Sequence, residues 1–305
     1  MTTTMLPHAT KKAANPVGRS KPRPGKKRSL PLTILLWLCA LYFLLPLFWL
    51  FIASTKDNSD LFSTFGLWFG SRFSLWDNVV SVFTARDGLY VRWALNTVLY
   101  AGVSAIGASL VATMAGYAFA KYTFPGSRPL FSLTLGAIMI PLTALALPTY
   151  LLFNAASLTN TPWAIILPSL VSPFGVFLMR VYAADAVPDS MIEAARVDGA
   201  GEFRIFWQVS FRLLGPGVVT VFLFALVATW NNYFLPLIML NTSSLYPLTV
   251  GLAQQQSASA AGGGAQALFS TVITGSLISV VPLIIAFLFL QRYWETGLAT
   301  GGVKE

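Results

Sequence analysis

The sequence predicts an all-α, polytopic membrane protein with six transmembrane helices, and three observations carry that prediction. Of 305 residues, 55% are hydrophobic and only 10% are charged, whereas soluble domains carry about 25% charged residues. Apolar stretches of the roughly 20 residues that cross a bilayer recur along the chain. Basic residues also fall on one side of the map those stretches define. Sixteen of the 20 Lys and Arg lie in segments on the side of the N-terminal tail, and Lys56, Arg72, Arg86 and Arg92 lie on the other. That asymmetry places both termini in the cytoplasm.

Residues 1–29 are polar and basic, with Lys11, Lys12, Arg19, Lys21, Arg23, Lys26, Lys27 and Arg28, and disorder is expected there. The net charge of +9 invites a nucleic-acid reading. Its crowding just ahead of an apolar run indicates a topology signal and contact with anionic lipid instead, so the partner is the bilayer and not nucleic acid. The run Leu30 to Ile52 is too long for a signal-peptide core of 7–15 residues. It is expected to be an uncleaved first span, bent at Pro46. Cys39 and His8 are the only cysteine and histidine. No disulfide framework, thiol metal site or Cys–His nucleophile pair is therefore expected within the chain.

Residues 53–92 form the first outer loop, where Trp68, Phe69, Phe73 and Trp76 suit a membrane-surface helix or aromatic belt, or else a partner. The membrane-surface reading is preferred. The second span, Ala94 to Ala120, repeats Ser104, Ala108, Ala112, Gly116 and Ala120 every four residues, a face that lets another helix approach closely. Lys121 to Arg128 is a tight turn. The third span, Pro129 to Phe153, contains Pro141 and Pro148, and the fourth, Trp163 to Tyr182, contains Pro168, Pro173 and Gly175. Both read as broken, cavity-lining helices or as simple kinks. The fifth, Gly217 to Leu240, holds Trp230, Asn231, Asn232 and Tyr233. Amides at that depth need partners, either a neighbouring helix or a polar solute. Residues 241–266 lack charge and include Gln-Gln-Gln and Gly-Gly-Gly, so a mobile outer loop is expected. The sixth span, Ala267 to Leu290, has a polar stripe of Thr271, Thr274, Ser276 and Ser279. The chain thus divides into a tail (1–29), a membrane domain (30–292, core 94–292) and a C-terminal tail (293–305).

The long polar interruption is residues 187–213. Ser190 and Glu193 have capping-box spacing, and Asp189 and Glu193 put negative charge in a first helical turn. Asp198-Gly199 supplies a left-handed stop. A second short helix is expected from Glu202, with Phe203, Phe206 and Trp207 on its apolar face. The segment reads either as an ordinary connecting loop or as a docking site; ordinary connections run about 4–6 residues, so a loop with its own caps and apolar face is expected to dock a second protein.

The cores of the six expected spans contain no Asp, Glu, Lys, Arg or His, which disfavours a proton or ion relay and suits a neutral, hydroxyl-rich solute. No Gly-x-x-x-x-Gly-Lys-Ser/Thr loop is present, so any ATP that drives transport is bound by another subunit. With no acid–base pair in the spans, an enzyme is not expected.

Glu193-Ala194-Ala195 followed by Gly199 resembles the EAA motif of bacterial ABC-importer permeases. NTVLYAG from Asn96, AGYAFAKYTFPGS from Ala115, TWNNYFLPLI from Thr229 and the C-terminal GLATGGVKE resemble the sugar-importing branch, specifically its maltose-transporter G-type subunit. The resemblance covers most of the chain from about residue 30. It implies the type I ABC importer permease fold with a cytoplasmic pair of coupling helices, in a bacterial or archaeal plasma membrane. It also implies a heterodimer with a second permease, two ATPase subunits carrying ATP and magnesium, and an external sugar-binding protein; no cofactor is implied on this chain. By resemblance Glu193, Ala194, Ala195, Asp198 and Gly199 enter a cleft of the ATPase, and the tail with Gly297, Gly301 and Gly302 reaches into the ATPase dimer. Two positions depart: Arg212 stands where the family has Pro, and Glu305 where it ends in Gly. The solute site does not carry over, because relatives hold solute mainly in the other permease. Asn231, Asn232 and Tyr233 are the candidate solute path. The alternatives are an importer of a peptide, amino acid or polyamine, and a stand-alone secondary transporter or channel.

Overall fold

A computed structural model of the chain describes residues 29–141, 143–260 and 269–299, mostly helix joined by turns and irregular segments, with no strand among them. The expected disorder of residues 1–28 and the Gly-Gly-Gly segment lie outside the described residues. The chain forms two compact units, one up to Leu45 and one from Pro46. The described part of the first is the apolar beginning of α1 (Leu30–Ser54), which contains Pro46.

In the second unit the first outer loop is built on buried polar contacts. Asp57 caps α2 (Asn58–Ser63) by accepting from the Asp60 amide at 2.8 Å. Lys56 is buried, and its Nζ donates to Thr64 Oγ1 and the Phe65 carbonyl, both at 2.8 Å. Asn78, on α3 (Leu75–Thr84), donates to the carbonyls of Ser54 and Lys56. Buried polar groups are tolerated because each finds a partner. Trp68, Phe69, Phe73 and Trp76 remain exposed.

A left-handed turn at Arg86, Asp87 and Gly88 leads into α4 (Leu89–Lys121), which is followed by α5 (Ser127–Ile138) and α6 (Ala146–Ala155). The expected third span is thus two short helices, broken around Pro141, whose nitrogen has no hydrogen to donate. The expected fourth span is α7 (Trp163–Ser169) and α8 (Pro173–Ala186). At that break Ser172 Oγ accepts from the Gly175 amide at 3.2 Å, and Pro173 opens the new helix, where a missing N–H costs nothing. Then come α9 (Asp189–Val197), α10 (Glu202–Ile205), α11 (Phe211–Leu213), α12 (Gly215–Trp230) and α13 (Phe234–Met239). The last helices are α14 (Leu248–Ala260) and α15 (Phe269–Ala299). Among the described residues four helical stretches are long and apolar enough to cross a membrane: Leu30–Ser54, Leu75–Lys121, Trp163–Ala186 and Phe269–Gln291. A fifth counts if Glu202–Leu213 and Gly215–Trp230, bent by 80°, form one span.

The centre is the packing of α4 against α8 and α12. Ser104, Ala108, Ala112 and Gly116 are buried, as their spacing predicts, and Ala120 is half-buried. A Cβ on Gly116 would stand 2.6 Å from Met179 Cβ and 2.7 Å from the Arg180 amide nitrogen. The α8 backbone is therefore in contact with α4, which only a residue without a side chain permits.

Residues 248–260 correct the expectation of a mobile loop: they form α14, with Gln255 and Ser259 buried. The reason lies upstream. Trp93, Asn96, Thr97 and Tyr100 share one face of α4 and clamp residues 243–248. Trp93 Nε1 donates to the Ser243 carbonyl at 2.8 Å, and Asn96 Nδ2 to those of Ser244 and Tyr246 at 2.8 and 3.1 Å. Tyr100 donates to the Leu245 carbonyl at 2.9 Å, and Thr97 Oγ1 accepts from the Leu248 amide at 2.8 Å. Backbone that would otherwise need water is satisfied by side chains. The polar stripe of α15 splits: Thr271 and Thr274 are buried, while Ser276 and Ser279 border a cavity.

Candidate functional site

The loop of residues 187–213 begins with α9, whose first turn carries Asp189 next to Pro188. No side chain caps it, so the Ser190–Glu193 capping box does not form: the helix starts one residue before Ser190 and places that serine inside the first turn. Pro188 occupies the cap position in an extended conformation and fixes the chain's entry into the helix. Asp189 instead accepts from Lys121 Nζ, at the end of α4, at 2.8 Å.

The far end of α9 follows the sequence. Gly199 has φ +78°, its amide donates to the Arg196 carbonyl at 3.0 Å, and the Ala200 amide donates to the Ala195 carbonyl at 3.0 Å. This is the Schellman arrangement, and Ala195 and Ala200 pack together on the cluster beneath the loop. The motif's alanines therefore have different duties. Ala195 packs inward, whereas Glu193 and Ala194 are exposed.

The second short helix starts at Glu202, as expected. Its backbone then widens over Phe206–Ser210, where the Phe211 amide bonds the Phe206 carbonyl five residues back. The Phe206, Trp207 and Phe211 rings meet edge-to-face or tilted at centroid distances of 4.9 to 5.9 Å, and Ser210 Oγ donates to Tyr117 OH at 3.1 Å. Phe206 is buried with Ile192, Ile205 and Leu214. Phe203 departs from the expected apolar face: it is 73% exposed, with an edge-to-face contact to Trp207. Arg212 is exposed on α11, and the exit made without the family's Pro is the 80° bend into α12.

Sequence reasoning placed Glu202 at the start of the second short helix but missed the side-chain bonds by which it joins the two helices. Arg196 donates to it twice, Nε to Oε1 at 2.7 Å and Nη2 to Oε2 at 3.2 Å, and Tyr122 OH donates to Oε2 at 2.7 Å. The Arg196 fork, then the Tyr122 hydroxyl, hold the Glu202 carboxyl below its usual range of about 4.5. Burial and the bond to Glu202 push Tyr122 up. Because the carboxyl's folded pKa is depressed, its contribution to holding the two helices is present above 4.5 and is lost as pH falls through the lowered value. Protection of the amides at residues 200–205, taken relative to their intrinsic exchange rates, should fall in the wild type as pH drops through that lowered value. In Glu202→Gln that protection should be low at every pH. The spacing of six residues between Arg196 and Glu202 across a glycine was the only available signal.

The surface left uncovered by these contacts runs over Glu193, Ala194, Asp198, Val197 and Phe203, with Val197 88% exposed. Apolar side chains on a rigid exposed edge suit a protein partner.

The candidate solute residues sit elsewhere, at the break between α12 and α13. Asn231 Nδ2 donates to the Val227 carbonyl and Asn232 Oδ1 accepts from the Leu235 amide. The amides therefore cap their own broken helix and do not bond a neighbouring one. Asn231 and Tyr233 also line a cavity of about 330 Å³ with Gln256, Thr249, Ser276 and Ser279; Asn232 does not line it. The wall carries no charge. Gly297 lies in α15, which continues past residue 292, and Gly301 and Gly302 lie outside the described residues. Among the described residues no group of His, Cys, Asp and Glu is placed to hold a metal.

Residues 108–299 match the family described as binding-protein-dependent transport system inner membrane component. The arabinooligosaccharides transport system permease protein AraQ of Halalkalibacterium halodurans is 34% identical over 92% of this chain and 99% of its own length. The lactose transport system permease protein LacG of Rhizobium radiobacter is 30% identical over 88% of this chain and 93% of its own. A crystal structure of a bacterial ABC transporter involved in the import of the acidic polysaccharide alginate contains a chain of the same fold. It superposes with a TM-score of 0.75 at 22% identity, covering 89% of this chain and all of that one.

Proposed function

Because the chain belongs to the family of binding-protein-dependent transport system inner membrane components, and so is a transport subunit and not an enzyme, we propose that it passes a sugar or oligosaccharide across a bacterial plasma membrane. ATP hydrolysis on separate subunits drives the step. The chain pairs with a second permease, receives solute from an external sugar-binding protein, and docks one of two ATPase subunits, which carry ATP and magnesium. It spans the membrane six times, α5 with α6 supplying one broken span, and both termini and the loop of residues 187–213 face the cytoplasm. The saccharide named in both relatives and the uncharged cavity support a neutral, hydroxyl-rich solute.

One observation carries this reading: two short helices are locked at a fixed angle by Gly199 and Glu202 while Glu193, Ala194, Val197 and Phe203 stay uncovered. The ATPase takes that edge, with the tail glycines Gly297, Gly301 and Gly302 as a further contact. Closure of the ATPase dimer moves the pair, and α12 carries the motion. Its 16 residues make a rod of about 24 Å, from the bend at Leu214 to the cavity at Asn231. Rigid coupling of this kind links two sites through an element that both bias.

The test is reconstitution of the chain with its co-purifying subunits, using arabino-oligosaccharide and lactose as probes. Uptake that needs ATP and the binding protein is the expected result. Uptake by the chain alone without ATP would make it a secondary transporter. In the same assay Asn231→Ala should raise the half-saturating concentration about tenfold at unchanged ATP hydrolysis, the loss of roughly one hydrogen bond to solute. An unchanged value would remove Asn231 from the solute path.

A further inference from the structure

A second cavity, of about 280 Å³, is lined by Phe119, Ser127, Arg128, Phe131, Ser132 and Arg180. Transport through the uncharged cavity leaves it without a role. Two arginines line it, Arg128 from the start of α5 and Arg180 from α8. Neither has a carboxylate partner among the described residues, whose ion pairs join Arg72 to Asp77, Lys121 to Asp189 and Arg196 to Glu202. Arg180 lies over the Phe131 ring at 3.8 Å, which fixes the cation while leaving its N–H groups free to donate. Ser127 and Ser132 add two hydroxyls on the same wall.

We propose that this cavity binds the phosphate of an anionic phospholipid. Guanidinium forks match phosphate oxygens in pairs, and unpaired cations close together favour a ligand that brings the missing charge. The position favours a lipid. Arg180 sits within the apolar stretch Trp163–Ala186, near its end, and span ends are where headgroups meet basic side chains. Leu130 and Leu133 are exposed on α5 beside the cavity and suit the start of an acyl chain. This inference does not depend on which solute is transported.

The test is native mass spectrometry of the full chain, delipidated in detergent together with the subunits that accompany it, with phosphatidylglycerol, phosphatidylcholine or inorganic phosphate added. Wild type should retain phosphatidylglycerol about tenfold more than phosphatidylcholine. Arg128→Gln and Arg180→Gln should each lose most of that preference, while Arg204→Gln, which removes an exposed arginine elsewhere, should keep it. Arg128 is exposed, so its variant folds even if Arg180→Gln does not. Displacement of the lipid by millimolar inorganic phosphate would assign the same site to a soluble phosphate. Equal retention of both lipids, or an unchanged preference in Arg128→Gln, would overturn the proposal. Uptake is measured separately, so failure of the sugar reading leaves this result intact.

Discussion

Replacing Gly199 with valine should cut uptake at least about tenfold while ATP hydrolysis persists and the protein still inserts. At φ +78° a β-branched residue meets its own backbone, at a cost of about 1–3 kcal/mol. A Cβ there has nothing within 4 Å, so the effect is conformational and not a clash. To escape the strain the chain must give up the amide bonds of Gly199 and Ala200 to the end of α9. Arg196 then no longer faces Glu202, and the two short helices lose their fixed angle. The partner would still bind but would move a loose element. Gly199→Asn is the control, because asparagine tolerates the left-handed region and should retain most uptake. Uptake and ATPase rates measured on the same proteoliposomes decide it. If valine is as active as glycine, the angle between the helices is not what transmits force.

The second large effect is expected within the membrane. Gly116→Leu should leave no folded protein in detergent, and Gly116→Ala should lose about 1–3 kcal/mol, the usual cost of overpacking. The added carbon meets Met179 Cβ and the Arg180 amide, and backbone cannot rotate away as a side-chain tip can. Gly102 is on the same helix with nothing within 4 Å of a built Cβ, so Gly102→Leu should fold normally. Thermal unfolding followed by size exclusion separates the two. A stable Gly116→Leu would mean that α4 and α8 pack less closely than described.

These two glycines were legible in the sequence for different reasons. Gly116 belongs to a repeat of four, and helical spacing alone turns it into a face. Gly199 follows an aspartate at the end of an amphipathic run, a local signal. The prolines likewise marked where α5 separates from α6 and α7 from α8. What stayed hidden depends on distant partners. Residues 248–260 lack charge and clear periodicity, and their order comes from α4 side chains some 150 residues upstream. Glu202 reads as one acid among eleven until Tyr122, 80 residues away, is placed beside it. Asn231 and Asn232 were noticed, but the bonds they make are to their own helix ends, which pattern cannot distinguish from bonds to a neighbour.

The clamp on residues 243–248 also sets a schedule for biogenesis. Trp93, Asn96 and Tyr100 enter the bilayer with the second apolar stretch, but their acceptors are encoded 145 to 150 residues later. At about 5–20 residues per second that is a wait of roughly 7 to 30 s. During it the donors face lipid, water in the insertion machinery, or a helper protein. A ribosome that stops before residue 243 therefore releases a chain with exposed polar groups in its spans, which quality-control proteases can recognise. Completion of the last fifth of the chain, from residue 243 on, is thus what ends the nascent permease's vulnerability to degradation.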